Sequence, residues 1–598
     1  MFLSLLLTFS LSLALVGNSK KPSIELKTYK FGLNSKSLNE FVQKKEKKIV
    51  FYLLCYSKYK QLKVNSNLSR ILISGLLLAI SWPTYGFSFF IFFALVPLLF
   101  TIEEINRSTL NRKGLLVFFY SYISFLIWNI ISTWWIYNAT AFGAVFAILC
   151  NSSFYALIIS LYRWALTRLP KISSQLLLIS LWISFEKFHL NWDFSWPWLN
   201  LGNVFSENIY WIQWYEFTGV FGGTLWVLLI NFIALKWYSH YQLNGSLKEA
   251  VKGFVPNLIW IAIPIVISLS LYNKQKEPKE KVEVIVLQPN IDPYKGKYQL
   301  KNKELLTLCE EISHPILDLT TDYLITPEGY FDEGSGLNLS NYKEGAFRKS
   351  IKEFLAPYPT LSLLTGAQSF KLYPPSDLAP TRTANRLNNN RWYDVYNSAF
   401  QFNNKTQDQV YQKSKLVVGV EYMPYKTFFE PLIGDFLLDF GGTIATRGIQ
   451  NKRTVFTNHK GVKTAPIICY ESIYGAFVTK YVLKGAQFLS IITNDAWWGN
   501  TQGHKQLLSY ARLRAIENRR AIARSANTGI SAFINTKGEI IKELPYAYTG
   551  ALKGQIELND ELTFYTRYGD LIARVSILIF ILMISMAISG RLKQKAAF

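Results

Sequence analysis

At 598 residues the chain exceeds one ordinary domain, so at least two folded parts are expected. Half of it is hydrophobic and 16% is aromatic, which is rich for a soluble protein. The net charge of +24 does not point to nucleic acid: the excess Lys and Arg fall in short segments between apolar runs, and no recognition motif accompanies them.

The chain opens on "MFLSLLLTFSLSLALV" at 1–16, apolar but without the basic start of a signal peptide. It reads as an extra anchor, a weak signal or a misassigned start, and residues 1–69 as a whole receive no role. Seven apolar runs follow at about 70–84, 88–102, 114–136, 141–166, 174–188, 218–237 and 255–272, with an eighth at about 571–589. "WPTYGF" between the first two reads as a tight turn. A bundle of seven membrane helices is thus expected over 70–272, with a final one at 571–589.

Placing the basic stretch Lys20–Arg70 in the cytoplasm puts the loops after runs 2, 4 and 6 there too, and all three are basic. The tail, with Arg591, Lys593 and Lys595, returns to the same side. The sequence between runs 7 and 8 then falls outside.

That inserted part, expected over 281–565, alternates strands and helices. "KVEVIVLQPNI" reads as a buried strand, "KELLTLCEEISHPILDL" as a helix, and "TDYLITPEGY" as a strand ending in a turn. Helix "FRKSIKEFLAPY" and strands "TLSLLTGAQ", "VYNSAFQFN" and "TAPIICYE" follow. Then come helix "GAFVTKYVLKGA", strand "FLSIITNDAWWG", one long helix "HKQLLSYARLRAIENRRAIARSA" and a hairpin "GISAFINTKGEII". Several strands are apolar on both faces, which predicts a layered α/β domain with helix-covered sheets.

The cysteines are Cys55, Cys150, Cys309 and Cys469. Their spacing fits neither a zinc site nor a disulfide framework, and the first three read as structural. Cys469 stands where an apolar strand turns into a helix, followed at once by Tyr470 and Glu471. Taken alone it reads as a buried thiol, but a nucleophile is possible if a base and a cation join it. Glu328 in "LITPEGY" and Lys413 in "YQKSKLVVGVEYMP" also lie at strand ends. Glu328 is suited to relay the proton, and the Lys413 ammonium, with the Tyr470 backbone N–H, to stabilise a tetrahedral oxyanion.

Glu, Lys and Cys in this order resemble the carbon–nitrogen hydrolase (nitrilase) superfamily. The surrounding membrane runs narrow the resemblance to the apolipoprotein N-acyltransferase family, carried by "LQPNI", "TPEGY", "YQKSKLV" with "EYMP", "ICYESIYG", "TNDAWWGNTQGHKQ" and "ARLRAIENRRAIARSANTGISAFI" in sequence. "SWPWLNLGN" with "GVFGGTLWVLLINFIAL" and "TRYGD" resemble its flanking segments. The resemblance covers about 70–590 and implies a bundle of about eight transmembrane helices with an inserted α-β-β-α sandwich. It puts the nucleophile on Cys469, the base on Glu328, the essential lysine on Lys413 and a supporting glutamate on Glu421. Tyr470 and Glu471 take the family's Tyr-Glu positions. Val-Gly-Val-Glu replaces the family's Pro-Phe-Gly-Glu, and Thr326 stands where a Trp is common.

The implied reaction needs no cofactor or metal. Cys469 takes an acyl chain from a phospholipid, phosphatidylethanolamine by the resemblance, and passes it to the α-amino group of a diacylglyceryl apolipoprotein. This implies a multi-pass inner-membrane enzyme with a periplasmic catalytic domain. The rivals are a membrane-anchored amidase or hydrolase using the same triad, a silent lipid-binding module, and a transporter. Glu186 and Lys187 are the intramembrane charges a transporter reading rests on. Trp497 and Trp498 read equally as packing or lipid contacts, and the arginines after residue 511 as a solvated or salt-bridged helix face.

Overall fold

In the computed structural model helices stand at all eight places where the sequence has apolar runs. The structure describes residues 66–275, 278, 280–292, 300–387, 390–422, 424–425 and 446–590. The stretch at 1–16, Cys55, most of the Lys-rich segment and the three basic tail residues lie outside them.

Six of the helices are long and apolar enough to cross a membrane: Ser88–Arg107, Lys113–Asn138, Ala141–Ala165, Val220–Asn244, Leu247–Lys274 and Leu571–Ser589. By length and composition, six of the expected eight or so are thus found among the described residues. Ser66–Ile80 is a shorter apolar helix, about 22 Å long at 1.5 Å per residue against a bilayer core of about 30 Å. Lys171–His189 carries Lys171, Glu186 and Lys187 among its apolar residues. Glu186 is nevertheless fully buried, and its carboxylate accepts hydrogen bonds from Trp182 Nε1, the Leu201 N–H and the Thr224 hydroxyl. It is a structural hub at the end of the bundle that meets the inserted domain, which removes its appeal as a transport residue.

Among the described residues, fourteen strands build the inserted domain: β1 (Lys281–Gln288), β2 (Tyr323–Ile325), β3 (Leu337–Asn338), β4 (Ser362–Tyr373), β5 (Asn385–Arg386), β6 (Trp392–Phe402), β7 (Gln409–Gln412), β8 (Phe456–Thr457), β9 (Lys463–Ile468), β10 (Phe488–Thr493), β11 (Ile522–Ala526), β12 (Ser531–Ile534), β13 (Ile540–Leu544) and β14 (Gly550–Glu557). One sheet runs β14-β1-β2-β4-β6-β5, with β3 beside β4 and β7 beside β6; the other runs β13-β12-β11-β10-β9-β8. Strands β1, β2 and β4 are parallel, as are β9, β10 and β11.

The period-2 alternation of side chains explains the layering. Val282, Val284, Val286, Tyr323, Ile325 and Leu364 join the core shared with the second sheet. The residues between them, Ile285, Leu287, Leu324 and Leu363, pack with Leu305, Cys309, Ile351 and Leu355 of helices Asn302–Ser313 and Ala346–Leu355. Helices Gly475–Val482 and Gln502–Asn518 cover the outer face of the second sheet. The result is an α-β-β-α sandwich.

The long helix read from the sequence is two elements. It stops at Asn518, where Arg519 turns left-handed at φ +49°, and residues 522–526 become the central strand β11. Nor do its arginines form a solvated face. Arg514, Arg520 and Arg524 are at most 1% exposed. Arg514 pairs with Glu517 and Arg524 with Asp495, while Arg520 donates to the carbonyls of Ala486 and Glu561. Helix Gln502–Asn518 also joins domain to bundle: Gln506 Oε1 accepts from Trp135 and Trp198, Tyr510 accepts from Trp82 Nε1, and Glu517 accepts the Val220 N–H.

Candidate active site

Strand β9 is buried from Thr464 to Ile468 and ends at Cys469, which sits at φ +50° and opens a tight turn, Cys469–Ile473. A non-glycine residue held there stores strain on the order of 1 kcal/mol, so the surroundings must fix it. Glu471 does much of this. Its carboxylate, fully buried, accepts the Ile468 N–H at 3.0 Å, the Tyr411 hydroxyl at 2.6 Å and the Ser414 N–H at 2.7 Å. It thereby ties the Cys469 turn to the segment after β7 that carries Lys413. From the other side, Arg514 donates to the Ile473 carbonyl at 2.7 Å.

Glu328 lies in the turn after β2. Gly366 of β4 passes so close that a Cβ there would meet Gly329 N at 2.5 Å and Glu328 Cα at 2.7 Å. The Gly366 carbonyl accepts the Tyr330 N–H, and the Gly366 N–H donates to the Pro327 carbonyl. These contacts fix the Glu328 turn against the strand.

Lys413 is 1% exposed and its Nζ stands 2.9 Å from both Glu328 Oε1 and Glu421 Oε2. Burial opposes its charge, but the Glu328 and Glu421 carboxylates, with Cys469, outweigh it and hold the ammonium well above the usual lysine value. For Glu421, burial is outweighed by the Lys413 ammonium, by Arg447, and by hydrogen bonds from Asn397 and the Val417 N–H, which keep its carboxyl down at about 2. Glu328 Oε2 accepts the Asn494 N–H at 3.1 Å. Lys415, two residues on, turns away to the Leu190 carbonyl at 3.1 Å.

Cys469 is 7% exposed. Burial and then the Glu328 charge push its thiol far above the ordinary value, while Lys413 and a hydrogen bond with Thr493 pull it back. Glu328, Lys413, Glu421 and Cys469 thus form one electrostatic cluster at the ends of β2, β7 and β9. Tyr470 and Glu471 border it: Tyr470 lines the apolar cavity beside Cys469, and the Lys413 charge acts on Glu471. The Tyr470 hydroxyl donates to the Ser195 carbonyl, and Glu471 is occupied by the turn and loop it ties together.

Sequence reasoning missed Asn397, whose Nδ2 reaches Glu328 Oε1 at 2.7 Å and Glu421 Oε1 at 3.0 Å. Its only signal is an amide within a strand otherwise read as apolar. It also missed the chain Arg524–Asp495–Thr493, in which Asp495 accepts from Arg524 at 2.7 Å and from the Thr493 hydroxyl at 2.6 Å.

Cys469 opens onto an apolar cavity of about 390 Å³ between the membrane helices and the domain. Trp135, Phe142, Phe146 and Cys150 line it from two membrane helices, Phe194 and Trp196 from the aromatic segment after Lys171–His189, and Val417–Val420 from the loop before Glu421. Trp498 lines it and also packs on Trp135 at 4.9 Å.

Residues 74–233 match a family described as the apolipoprotein N-acyltransferase N-terminal domain, and residues 379–561 one described as carbon–nitrogen hydrolase. Glu328 precedes the second match, although its strand shares a sheet with β6. The apolipoprotein N-acyltransferase of Chlorobaculum tepidum is 30% identical over 84% of this chain and 93% of its own length. Those of Geobacter metallireducens and Pasteurella multocida are each 25% identical, over 84% and 87% of this chain and 91% and 94% of their own lengths. The chain belongs to the apolipoprotein N-acyltransferase family.

Proposed function

We propose that the protein transfers an acyl chain from a phospholipid to the α-amino group of the N-terminal diacylglyceryl cysteine of apolipoproteins, through a thioester on Cys469. The observation that carries this reading is the position of Cys469 at the meeting point of a carboxylate–lysine cluster and an apolar cavity walled by membrane helices. A cavity of that lining suits an acyl chain, and the cluster suits acyl transfer.

The thiol is protonated at rest, because burial and Glu328 raise it. Its proton therefore has to leave as the sulfur attacks the ester carbonyl. Glu328 accepts it as general base. Lys413 stays an ammonium between two carboxylates, so it is no base; it faces the developing oxyanion together with the Tyr470 N–H. Collapse breaks the ester C–O bond, and the glycerol oxygen leaves with the proton from Glu328. The products are a lysophospholipid and the Cys469 thioester. The acceptor amine then attacks that carbonyl, Glu328 takes its proton, and the sulfur departs and recovers a proton as the amide forms. Glu421 and Asn397 hold Lys413 and Glu328 in register, and Glu471 holds the Cys469 turn.

Phosphatidylethanolamine, acylated at sn-1, is the donor in this reading. The basic loops on one side of the bundle support an inner-membrane protein whose catalytic domain, about 281–565, faces the periplasm.

The test is to trap the acyl-enzyme. The full-length protein in detergent is incubated with a phospholipid labelled in its sn-1 chain, beside Cys469→Ala. A hydroxylamine-labile label on the unsubstituted protein alone, discharged by a diacylglyceryl peptide, is the expected result. Discharge only to water makes the protein a hydrolase, and the absence of label from folded protein overturns the thioester.

A further inference from the structure

A second cavity, of about 370 Å³, opens beside the active site at the domain-bearing end of the bundle. Its character is the reverse of the first. Four cations line it, Lys187, Lys415, Arg453 and Lys480, against one carboxylate, Asp570. That carboxylate is already engaged: Asp570 lies 2.6 Å from Lys187 Nζ and accepts the Tyr565 hydroxyl at 2.6 Å. Lys415 and Lys480 have no carboxylate partner among the described ion pairs. Lys415 is held by the Leu190 carbonyl and over the Tyr474 ring, 4.7 Å from its centroid.

Arg453 is the telling member. It is 9% exposed and stacks 3.9 Å over the Phe477 ring. One guanidinium nitrogen donates to the carbonyls of Gln450 and Asn451, while its Nε and second terminal nitrogen are closed off from solvent and have no hydrogen-bond partner among the described residues. A buried guanidinium left with unused donors is costly unless an anion answers it. The location matters equally. Leu190 follows the end of helix Lys171–His189 and Asp570 precedes helix Leu571–Ser589, so the cavity lies beside the ends of two helices of the bundle.

We propose that this cavity binds a phosphate-bearing anion, either the phosphodiester of a phospholipid headgroup or free phosphate. Arg453, Lys415 and Lys480 supply the charge. Lys415 also takes its backbone from the segment that carries Lys413, so an occupant here touches the loop of the active site without entering the apolar cavity.

The experiment uses full-length Cys469→Ala protein in detergent, so that no lipid is consumed and the outcome does not depend on acyl transfer. Dihexanoyl phosphatidylglycerol and inorganic phosphate are titrated separately, with binding read by calorimetry at low salt. A single saturable site is expected, weakened about tenfold by Arg453→Gln or Lys480→Gln and unaffected by Lys248→Gln beyond the far end of helix Val220–Asn244. Saturation by the lipid alone makes the site a headgroup site; equal saturation by phosphate makes it a free-anion site. Saturation by neither, or affinity unchanged in both variants, overturns the proposal. Lys480 is exposed, so its variant decides the matter if Arg453→Gln fails to fold.

Discussion

Glu328 and Glu421 share the same two donors: Lys413 Nζ stands 2.9 Å from each, and Asn397 Nδ2 reaches them at 2.7 and 3.0 Å. Two buried carboxylates this close to one cation are tolerable only while the cation is present. Lys413→Met should therefore cost about 3–5 kcal/mol of stability, the usual penalty for breaking a buried charge cluster, and should abolish acyl transfer. Adding Glu421→Gln removes one of the stranded charges. The double variant should regain much of the stability and none of the activity. Denaturant melts in detergent and the acyl-enzyme assay read the two effects separately; full activity in either variant would remove Lys413 from the mechanism.

The same pair sets an acid limit. Burial works against ionising Glu421, but Lys413, Arg447 and the hydrogen bonds hold its carboxyl at about 2 against 4.5 ordinarily. A group depressed in the folded state adds stability that is complete above its unfolded value and is lost as the pH falls through its folded one. The window here is from about pH 4.5 down to about 2, with a contribution on the order of 3 kcal/mol. The raised Lys413 is the same interaction seen from its partner and counts once. Stability measured from pH 7 to 2 should fall more shallowly in Glu421→Gln than in the unsubstituted protein. Parallel curves would place the acid limit elsewhere.

Gly366 makes a third case, in which geometry acts without charge. A methyl group on it would lie 2.5 Å from Gly329 N and 2.6 Å from the Pro327 carbonyl. Both are backbone atoms that cannot rotate away, so β4 or the Glu328 turn must move. Gly366→Ala should lower the acylation rate tenfold or more, since misplacing a catalytic group by about 1 Å costs on the order of 100-fold. The stability loss should be about 1–3 kcal/mol. Single-turnover acylation and a thermal melt on the same sample check both. An unaffected rate would mean that Glu328 does not depend on this contact.

Much of this was legible in the sequence because burial leaves a mark there. Apolar runs bounded by turn residues gave β1, β2, β4, β6, β9 and β10, and Glu328, Lys413 and Cys469 stood out as polar or reactive residues after β2, β7 and β9. What stayed hidden was the use of polar groups inside the protein. "RAIARSA" continues a helical pattern on paper, yet Arg519 hooks onto Glu216 and Gln213 of the bundle and the chain turns into a strand. Periodicity cannot register an arginine whose partner is some 300 residues away. Asn397 and Thr493 were silent for the same reason, and so was the role of Glu186. Glu186 reads as an intramembrane charge until its carboxylate is seen to be bonded to a loop and a neighbouring helix.

The apolar cavity offers a prediction about chain length. Ala147 lines it from helix Ala141–Ala165, facing the same space as Cys469. Ala147→Phe places a ring in a volume of about 390 Å³ and leaves the carboxylate–lysine cluster untouched. If the acyl chain of the donor lies there, the methylenes furthest from the ester lose their burial. Each one displaced forfeits about 0.8 kcal/mol, close to fourfold in binding. Palmitoyl donors should therefore lose at least tenfold against lauroyl donors, while the rate with the shorter chain changes little. Competition between the two donors, read by mass spectrometry of the acylated peptide, gives that ratio directly. An unchanged ratio with a uniformly slower enzyme would place the chain outside this cavity.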